Sequence, residues 1–186
     1  FNNEGLTLTT RNTGACDEGC LTRAYAERHT HSATGLSTVG PAIEIDGNDA
    51  TFEWYMSLGF NASTKRYVAV YGQSGIPYRE NPPIQVKAKI LDINGNPLSS
   101  ELDLGAASGG SFYWQTGTAC SSRNNLCVVS VKDKALYIDT SQINTQAVGQ
   151  MFALPVGGGT SKVAYQPATN QFVLYGQQGY VTLRAE

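Results

Sequence analysis

The sequence predicts an all-β protein built from repeated four-stranded antiparallel units of about fifty residues. The first observation is a strand–turn–strand stretch at residues 59–73 that has a near copy at 164–177. Each copy contains an aromatic residue, a small or polar turn, a second aromatic residue, an apolar run and the tripeptide Tyr-Gly-Gln. The second observation is composition, because 20 glycines, 10 tyrosines and only 15% charged residues are typical of a turn-rich β-protein.

Residues 1–35 are expected to form an N-terminal strand and a disulfide-bearing segment. The stretch 6–9 alternates apolar and polar residues, which indicates a short strand. Residues 21–31 fit a short helix or a long strand by periodicity, and Tyr25 and Thr30 favour the strand.

Residues 36–186 are expected to form the repeat domain, with units at about 56–109, 110–159 and 160–186. The first unit has predicted strands at 56–60, 67–71, 84–93 and 98–104. An Asn94-Gly95 pair, which tolerates positive φ, marks the turn before its last strand. The second unit has a longer hairpin loop, and the third stops before a fourth strand. We therefore expect the last unit to be completed by N-terminal strands or by a neighbouring molecule.

The four cysteines occur as two close pairs, Cys16 with Cys20 and Cys120 with Cys127. Close pairs in a chain of this composition favour two local disulfides and an extracellular, periplasmic or cell-surface location. A Cys120–Cys127 bond would staple the longer hairpin loop, which is worth about 2 kcal/mol. Asn61-Ala62-Ser63 also matches an N-glycosylation acceptor on a predicted exposed turn.

Charge and hydropathy exclude several partners. The net charge is −2 and no run of Lys and Arg supplies the basic face that nucleic acid requires. No apolar run reaches the length of a membrane span. The glycines at 157–159 are followed by Thr160 and not by the lysine of a phosphate-binding loop. We expect no nucleic acid, no membrane span in this chain and no cofactor.

The two histidines, His29 and His31, would share one face of a strand. Together with Cys16 and Cys20 they supply four ligands of the types that zinc prefers. The alternative is a disulfide and two surface histidines, which the second cysteine pair favours. A Ser-His-Asp triad would need one of these histidines, but the chain has no Gly-x-Ser-x-Gly segment. We assign no catalytic residue and no metal, and keep the zinc set as the weaker alternative.

Aromatic side chains outside the apolar runs are the candidate binding residues, because an aromatic face combines apolar area with a polar edge. They are Trp54, Tyr78, Tyr113 and Trp114. The alternative is that most of the aromatic residues pack between sheets, as expected for Tyr67 and Phe172 inside the apolar runs.

The segments 60–71 and 165–175 and the turn 92–98 resemble the blades of secreted and surface β-propeller proteins. The resemblance covers about residues 36–183 and names no family, because no Trp-Asp ending, kelch glycine pair or sialidase aspartate box is present. It implies a fold that hosts lectins, scaffolds and hydrolases.

We expect a non-enzymatic extracellular or cell-surface protein that binds glycans or protein partners through aromatic-bearing loops. A first alternative is a self-assembling structural subunit that binds copies of itself by exchanging terminal strands. A second alternative is a fragment of a propeller-type hydrolase, which leaves enzymatic activity open.

Overall fold

The structure, a computed structural model, describes residues 4–12, 21–46, 52–75, 84–107, 116–131, 133–154, 162–176 and 178–186. Of residues 52–55 and 107 it describes the backbone alone. Within these ranges, no helix has the length and apolar character that crossing a bilayer would require.

The described residues form four antiparallel sheets that follow one another along the chain. Sheet I contains β1 (Glu4–Asn12), β2 (Thr22–Ser32), β3 (Gly35–Thr38) and β4 (Ile43–Glu44); sheet II contains β5 (Phe52–Asn61), β6 (Arg66–Ser74), β7 (Ile84–Leu91) and β8 (Leu102–Ala107). Sheet III contains β9 (Thr116–Cys120), β10 (Leu126–Val131), β11 (Lys134–Asp139) and β12 (Phe152–Ala153); sheet IV contains β13 (Lys162–Gln166), β14 (Gln171–Gly176) and β15 (Gly179–Arg184). A single 3-10 turn, Thr145–Ala147, is the helical element of the described chain. The all-β prediction is confirmed.

The sheets pack face to face because successive residues of a strand point to opposite sides. In β6, Val68 and Val70 pack towards sheet III, while Tyr67 and Ala69 pack towards sheet I. A third apolar cluster joins sheet III to sheet IV around Phe172. No apolar cluster of the described residues joins sheet I to sheet IV, so the four sheets form an open stack. This arrangement is compatible with propeller-like packing of successive blades.

The first strands of successive sheets lie side by side, β1 next to β5, β5 next to β9, and β9 next to β13. Gly59 permits the close approach of β5 to β9. A Cβ atom at Gly59 would lie 2.6 Å from Cγ2 of Thr118 and 2.9 Å from Sγ of Cys120. Beside it, the hydroxyls of Ser57 and Thr118 are 2.6 Å apart.

The two copies of the repeated stretch have the same turn conformation. Lys65 in the β5–β6 hairpin and Asn170 in the β13–β14 hairpin both have φ of 54°. Phe60 lies opposite Tyr67 with ring centroids 4.7 Å apart, and the rings of Tyr165 and Phe172 are 5.2 Å apart. The predicted repeat therefore extends to the turn and to its flanking aromatic pair.

The N-terminal part of the chain forms a sheet of its own. The strand predicted at residues 21–31 is confirmed as β2. However, β3 and β4 pair with β2, so the boundary expected at residue 35 lies inside sheet I. Among the described strands, β1 to β4 pair with one another and sheet IV has three strands, so none of these N-terminal strands joins sheet IV. Completion of the last unit, by N-terminal strands or by a neighbouring molecule, stays a prediction.

The expected exposure of Asn61 is wrong, because its side chain is buried between sheets II and III. Its Nδ2 donates to the backbone oxygens of Asn124 (2.9 Å) and Leu126 (3.3 Å). Its Oδ1 accepts from the backbone N–H of Thr64 at 3.0 Å. The nitrogen that a glycan would modify is thus enclosed and bonded in the folded protein.

Cys120 and Cys127 lie directly opposite each other on β9 and β10 and form a disulfide, with Cα atoms 3.9 Å apart. The bond closes the hairpin that carries Ser121 to Asn125. Cys16 and Cys20 lie outside the described residues.

Candidate functional site

A cleft of about 630 Å³ opens between sheets I and II, at the end of the stack where the β5–β6 hairpin turns. We call it the I–II cleft. The described residues that line it are Glu4, Gly5 and Leu6 of β1, Arg28 of β2, Leu58 and Phe60 of β5, Ala62 and Lys65 of the hairpin turn, Tyr67 of β6 and Ile93 of the turn after β7.

The cleft is bounded on one side by a turn of sheet II that rests on sheet I. Gly95 of this turn has φ of 91°, and a Cβ atom there would lie 2.9 Å from Cδ1 of Leu6. Asp92 holds the turn, since its Oδ1 accepts from the backbone N–H groups of Asn94 and Asn96, each at 2.8 Å. The turn therefore carries Ile93 into the cleft wall with its side chain 48% exposed.

An aromatic pair forms the apolar surface of the cleft. Tyr67 is buried, as expected for a residue in an apolar run, but Phe60 is 42% exposed. Burial and, second, the negative charge of Glu4 raise the pKa of Tyr67 above its ordinary value. Its hydroxyl therefore stays protonated at neutral pH and can donate a hydrogen bond.

Three charged groups stand around this aromatic surface. Arg28 lies opposite Leu6 on the paired strand, and its Nη2 is 3.4 Å from Oε2 of Glu4. Lys65 projects from the hairpin turn and is exposed. Within the described part of the chain no hydrogen bond or ion pair engages its ammonium group. The charged groups of the cleft thus leave one positive charge unbalanced.

The aromatic residues named from the sequence do not coincide with this cleft as far as they are described. Trp54 lies on β5 opposite Gly72, but its side chain is outside the described atoms. Tyr78, Tyr113 and Trp114 lie outside the described residues. Their binding role stays a prediction.

Sequence reasoning missed Phe60 as a site residue, although it identified the repeat that contains it. The signal was the aromatic residue at each end of the hairpin turn. That signal could not separate a packed ring from an exposed one, because the opposite sheet decides this.

The two histidines lie on the outer face of sheet I, away from the cleft. Nε2 of His29 is 2.7 Å from Oγ1 of Thr7 and 4.0 Å from Oε2 of Glu27. Because hydroxyl and carboxylate both approach the same ring nitrogen, they do not form the nucleophile–base–carboxylate order of a triad. The hydrogen bonds from Arg11 and, second, from Thr9 lower the pKa of Glu27, although burial acts in the opposite direction.

The zinc alternative lies largely outside the described chain, because two of its four ligands are Cys16 and Cys20. Among the residues that are described, no group of three His, Cys, Asp or Glu side chains is placed to hold a metal ion. His31 is exposed at the end of β2.

No model of a known protein family matches this chain, and no curated protein matches its sequence. The fold and the geometry of the I–II cleft therefore carry the functional argument.

Proposed function

We propose that this protein is a non-enzymatic extracellular or cell-surface protein that binds carbohydrate through the I–II cleft. The observation that carries the proposal is the exposed ring of Phe60, held against Tyr67 inside a lined cleft. The Cys120–Cys127 disulfide supports an oxidising location.

Sugar rings present apolar C–H faces and polar edges, and this pair of properties suits the cleft. The Phe60 ring and the side chains of Leu58 and Ile93 offer apolar area to a ring face. The Tyr67 hydroxyl and the charged groups of Glu4 and Arg28 offer hydrogen bonds to ring hydroxyls. A cleft with an apolar surface and a few convergent polar groups is the usual form of a small-molecule site.

A glycan array followed by titration calorimetry tests the proposal. We expect one class of glycan to bind, and Phe60→Ala to weaken that binding about tenfold through the loss of apolar contact. Tyr180→Ala is the matched control, because Tyr180 is an aromatic residue 68% exposed on the far side of the stack. An array without hits, with a protein partner found instead, would replace carbohydrate by protein as the ligand. Equal losses in the two variants would place the site elsewhere.

The outer face of sheet IV supports self-assembly as a second candidate function. It carries Tyr175 and Tyr180, 50% and 68% exposed, with ring centroids 6.2 Å apart. Inside the chain each sheet packs its face on the next one, and a second copy could continue this stack from sheet IV to its own sheet I. Such a contact joins two different surfaces and therefore propagates into rings or filaments.

Light scattering and negative-stain imaging test this second candidate. Assembly through sheet IV predicts polymers for the natural chain and monomers for Tyr180→Lys, because a buried unpaired charge is costly. Monomers of the natural chain at high concentration would remove the self-assembly candidate and leave the cleft proposal intact.

A further inference from the structure

We infer that the I–II cleft selects an acidic sugar, whose carboxylate is bound by Lys65 with Arg28 beside it and whose ring lies on Phe60. This inference rests on the proposed carbohydrate-binding function and adds the chemical class of the ligand. It is drawn from the charges of the cleft and from the internal repeat.

The cleft has a surplus of positive charge next to its apolar surface. Arg28 forms an ion pair with Glu4 at 3.4 Å, whereas Lys65 has no partner among the described residues. Asp92, in the turn after β7, neither lines the cleft nor forms an ion pair with Lys65 among the described residues; its carboxylate accepts bonds from its own turn, including Nδ2 of Asn96 at 2.9 Å. A neutral sugar would leave this surplus unused, while a carboxylate would balance it.

In the second copy of the hairpin, the residue equivalent to Lys65 has a structural role. Asn170 occupies it with the same φ of 54°. The side chain of Asn170 accepts from the hydroxyl of Tyr165 at 2.7 Å and donates to the backbone oxygen of Ala185 at 3.2 Å. Lys65 makes neither type of bond in the described structure. In sheet II, therefore, the turn holds a cation at the mouth of a cleft without using it for packing.

The cation and the aromatic ring belong to the same hairpin. Lys65 comes two residues before Tyr67, which lies directly opposite Phe60 in the β5–β6 register. One hairpin thus carries both the exposed aromatic face and a lysine whose flexible stem can bring its ammonium to a ligand on that face. A ligand that satisfies both needs an anionic group attached to a ring with an apolar face, which describes a uronic or sialic acid.

Lys65→Asn is the variant that tests the inference, because the protein itself uses asparagine at the equivalent turn position. The variant removes the charge and keeps a residue that tolerates positive φ. Lys162→Asn, an exposed lysine of β13 in sheet IV, is the control for loss of charge alone. Thermal unfolding of both variants checks that the fold is kept.

The probes are sialyllactose, a glucuronate-containing oligosaccharide, a sulfated lactose that has no carboxylate, and neutral lactose. We expect the two carboxylated sugars to bind more tightly than lactose, with a loss of about tenfold in Lys65→Asn and none in Lys162→Asn. Binding should also weaken several-fold when salt rises from about 50 mM to about 500 mM. In the natural protein, chemical-shift changes on titration should concentrate at Lys65 and Phe60.

The outcomes separate this inference from the proposed function. Lactose binding equal to that of the acidic sugars, unchanged in Lys65→Asn but lost in Phe60→Ala, would overturn the acidic ligand and keep carbohydrate binding. Tightest binding of the sulfated lactose would replace carboxylate by sulfate and overturn the inference as stated. No binding of any sugar would remove the carbohydrate function itself.

Discussion

The aromatic hairpin of sheet IV and its copy in sheet II face different neighbours. In sheet IV the ring of Phe172 is fully buried against sheet III. Tyr137 covers it, with ring centroids 6.4 Å apart, and donates its hydroxyl to the backbone oxygen of Arg184 at 2.9 Å. Burial raises the pKa of Tyr137, which is half-buried where sheets III and IV meet.

The equivalent aromatic pair in sheet II, Phe60 and Tyr67, is less completely covered by the neighbouring sheet. Sheet I presents Gly5, Leu6 and Arg28 to it and leaves Phe60 42% exposed. The same hairpin therefore closes a core in one place and lines a cleft in the other. The difference shows that the neighbouring sheet, and not the hairpin, decides whether an aromatic pair is available to a ligand.

The largest expected effect comes from opening the III–IV interface. Tyr137→Ala should lower the free energy of unfolding by about 3 kcal/mol, because it leaves a cavity beside Phe172 and removes the bond to Arg184. Tyr137→Phe should cost about 1 kcal/mol, since it keeps the ring and loses the hydroxyl alone. Urea denaturation followed by tryptophan fluorescence measures both. Equal, small losses would mean that Tyr137 does not cover the pair.

Truncating the equivalent aromatic residues compares the two hairpins directly. Tyr165→Ala should cost about 2 kcal/mol, because Tyr165 packs on Phe172 and bonds to Asn170. Phe60→Ala should cost about 1 kcal/mol or less, because its ring is partly in solvent already. The same denaturation assay applies. A cost for Phe60→Ala as large as that for Tyr165→Ala would show that the I–II cleft is closed in solution.

Lys65 and Asn170 occupy the same position in the two hairpin turns, and exchanging their residue types tests the comparison further. Asn170→Lys should cost about 1.5 kcal/mol, because it loses bonds to Tyr165 and Ala185 and places a less suitable residue at positive φ. Lys65→Asn should change stability by less than about 0.5 kcal/mol. Thermal scans of the two variants side by side test this asymmetry. Destabilisation by Lys65→Asn would indicate a structural bond of Lys65.

Much of the fold was predictable because its signals are local. Alternation at residues 84–93 gave a strand that the structure has as β7, and Asn94-Gly95 gave a turn in which Gly95 has φ of 91°. Pairing was harder. The segment at 36–45 has the same outline as 98–104, and this outline does not encode that its strands pair with β2.

The cleft was less predictable because exposure depends on distant parts of the chain. Phe60 and Tyr165 occupy equivalent positions in the repeated sequence. Their exposure differs because Phe60 faces sheet I, whereas Tyr165 packs against sheet III. Asn61 is a similar case, since its triplet reads the same whether the amide faces solvent or the backbone of sheet III. Local chemistry identified the hairpins, and the order of sheets in the stack determined their roles.

The smallest expected effect concerns the turn that supports the cleft, and it depends on pH. Burial raises the pKa of Asp92, but the bonds from the side chain and N–H of Asn96 and from the N–H of Asn94 lower it more. A carboxylate whose folded-state pKa is lowered contributes stability above about pH 4, its unfolded value, and loses it as pH falls through the folded value. Asp92→Asn should therefore reduce stability at neutral pH and weaken the acid dependence below about pH 4.

Asp139 at the end of β11 is the matched comparison for this effect. Burial raises its pKa as well, and the bonds from Ser141 and Asn125 lower it overall. Its turn does not line the I–II cleft, so Asp139→Asn should show the same acid dependence without changing sugar binding. Urea titrations at several pH values, with binding measured in parallel, compare the two variants. Weaker binding in Asp92→Asn alone would show that the turn carrying Ile93 shapes the cleft, whereas unchanged binding in both would restrict the turn to a role in stability.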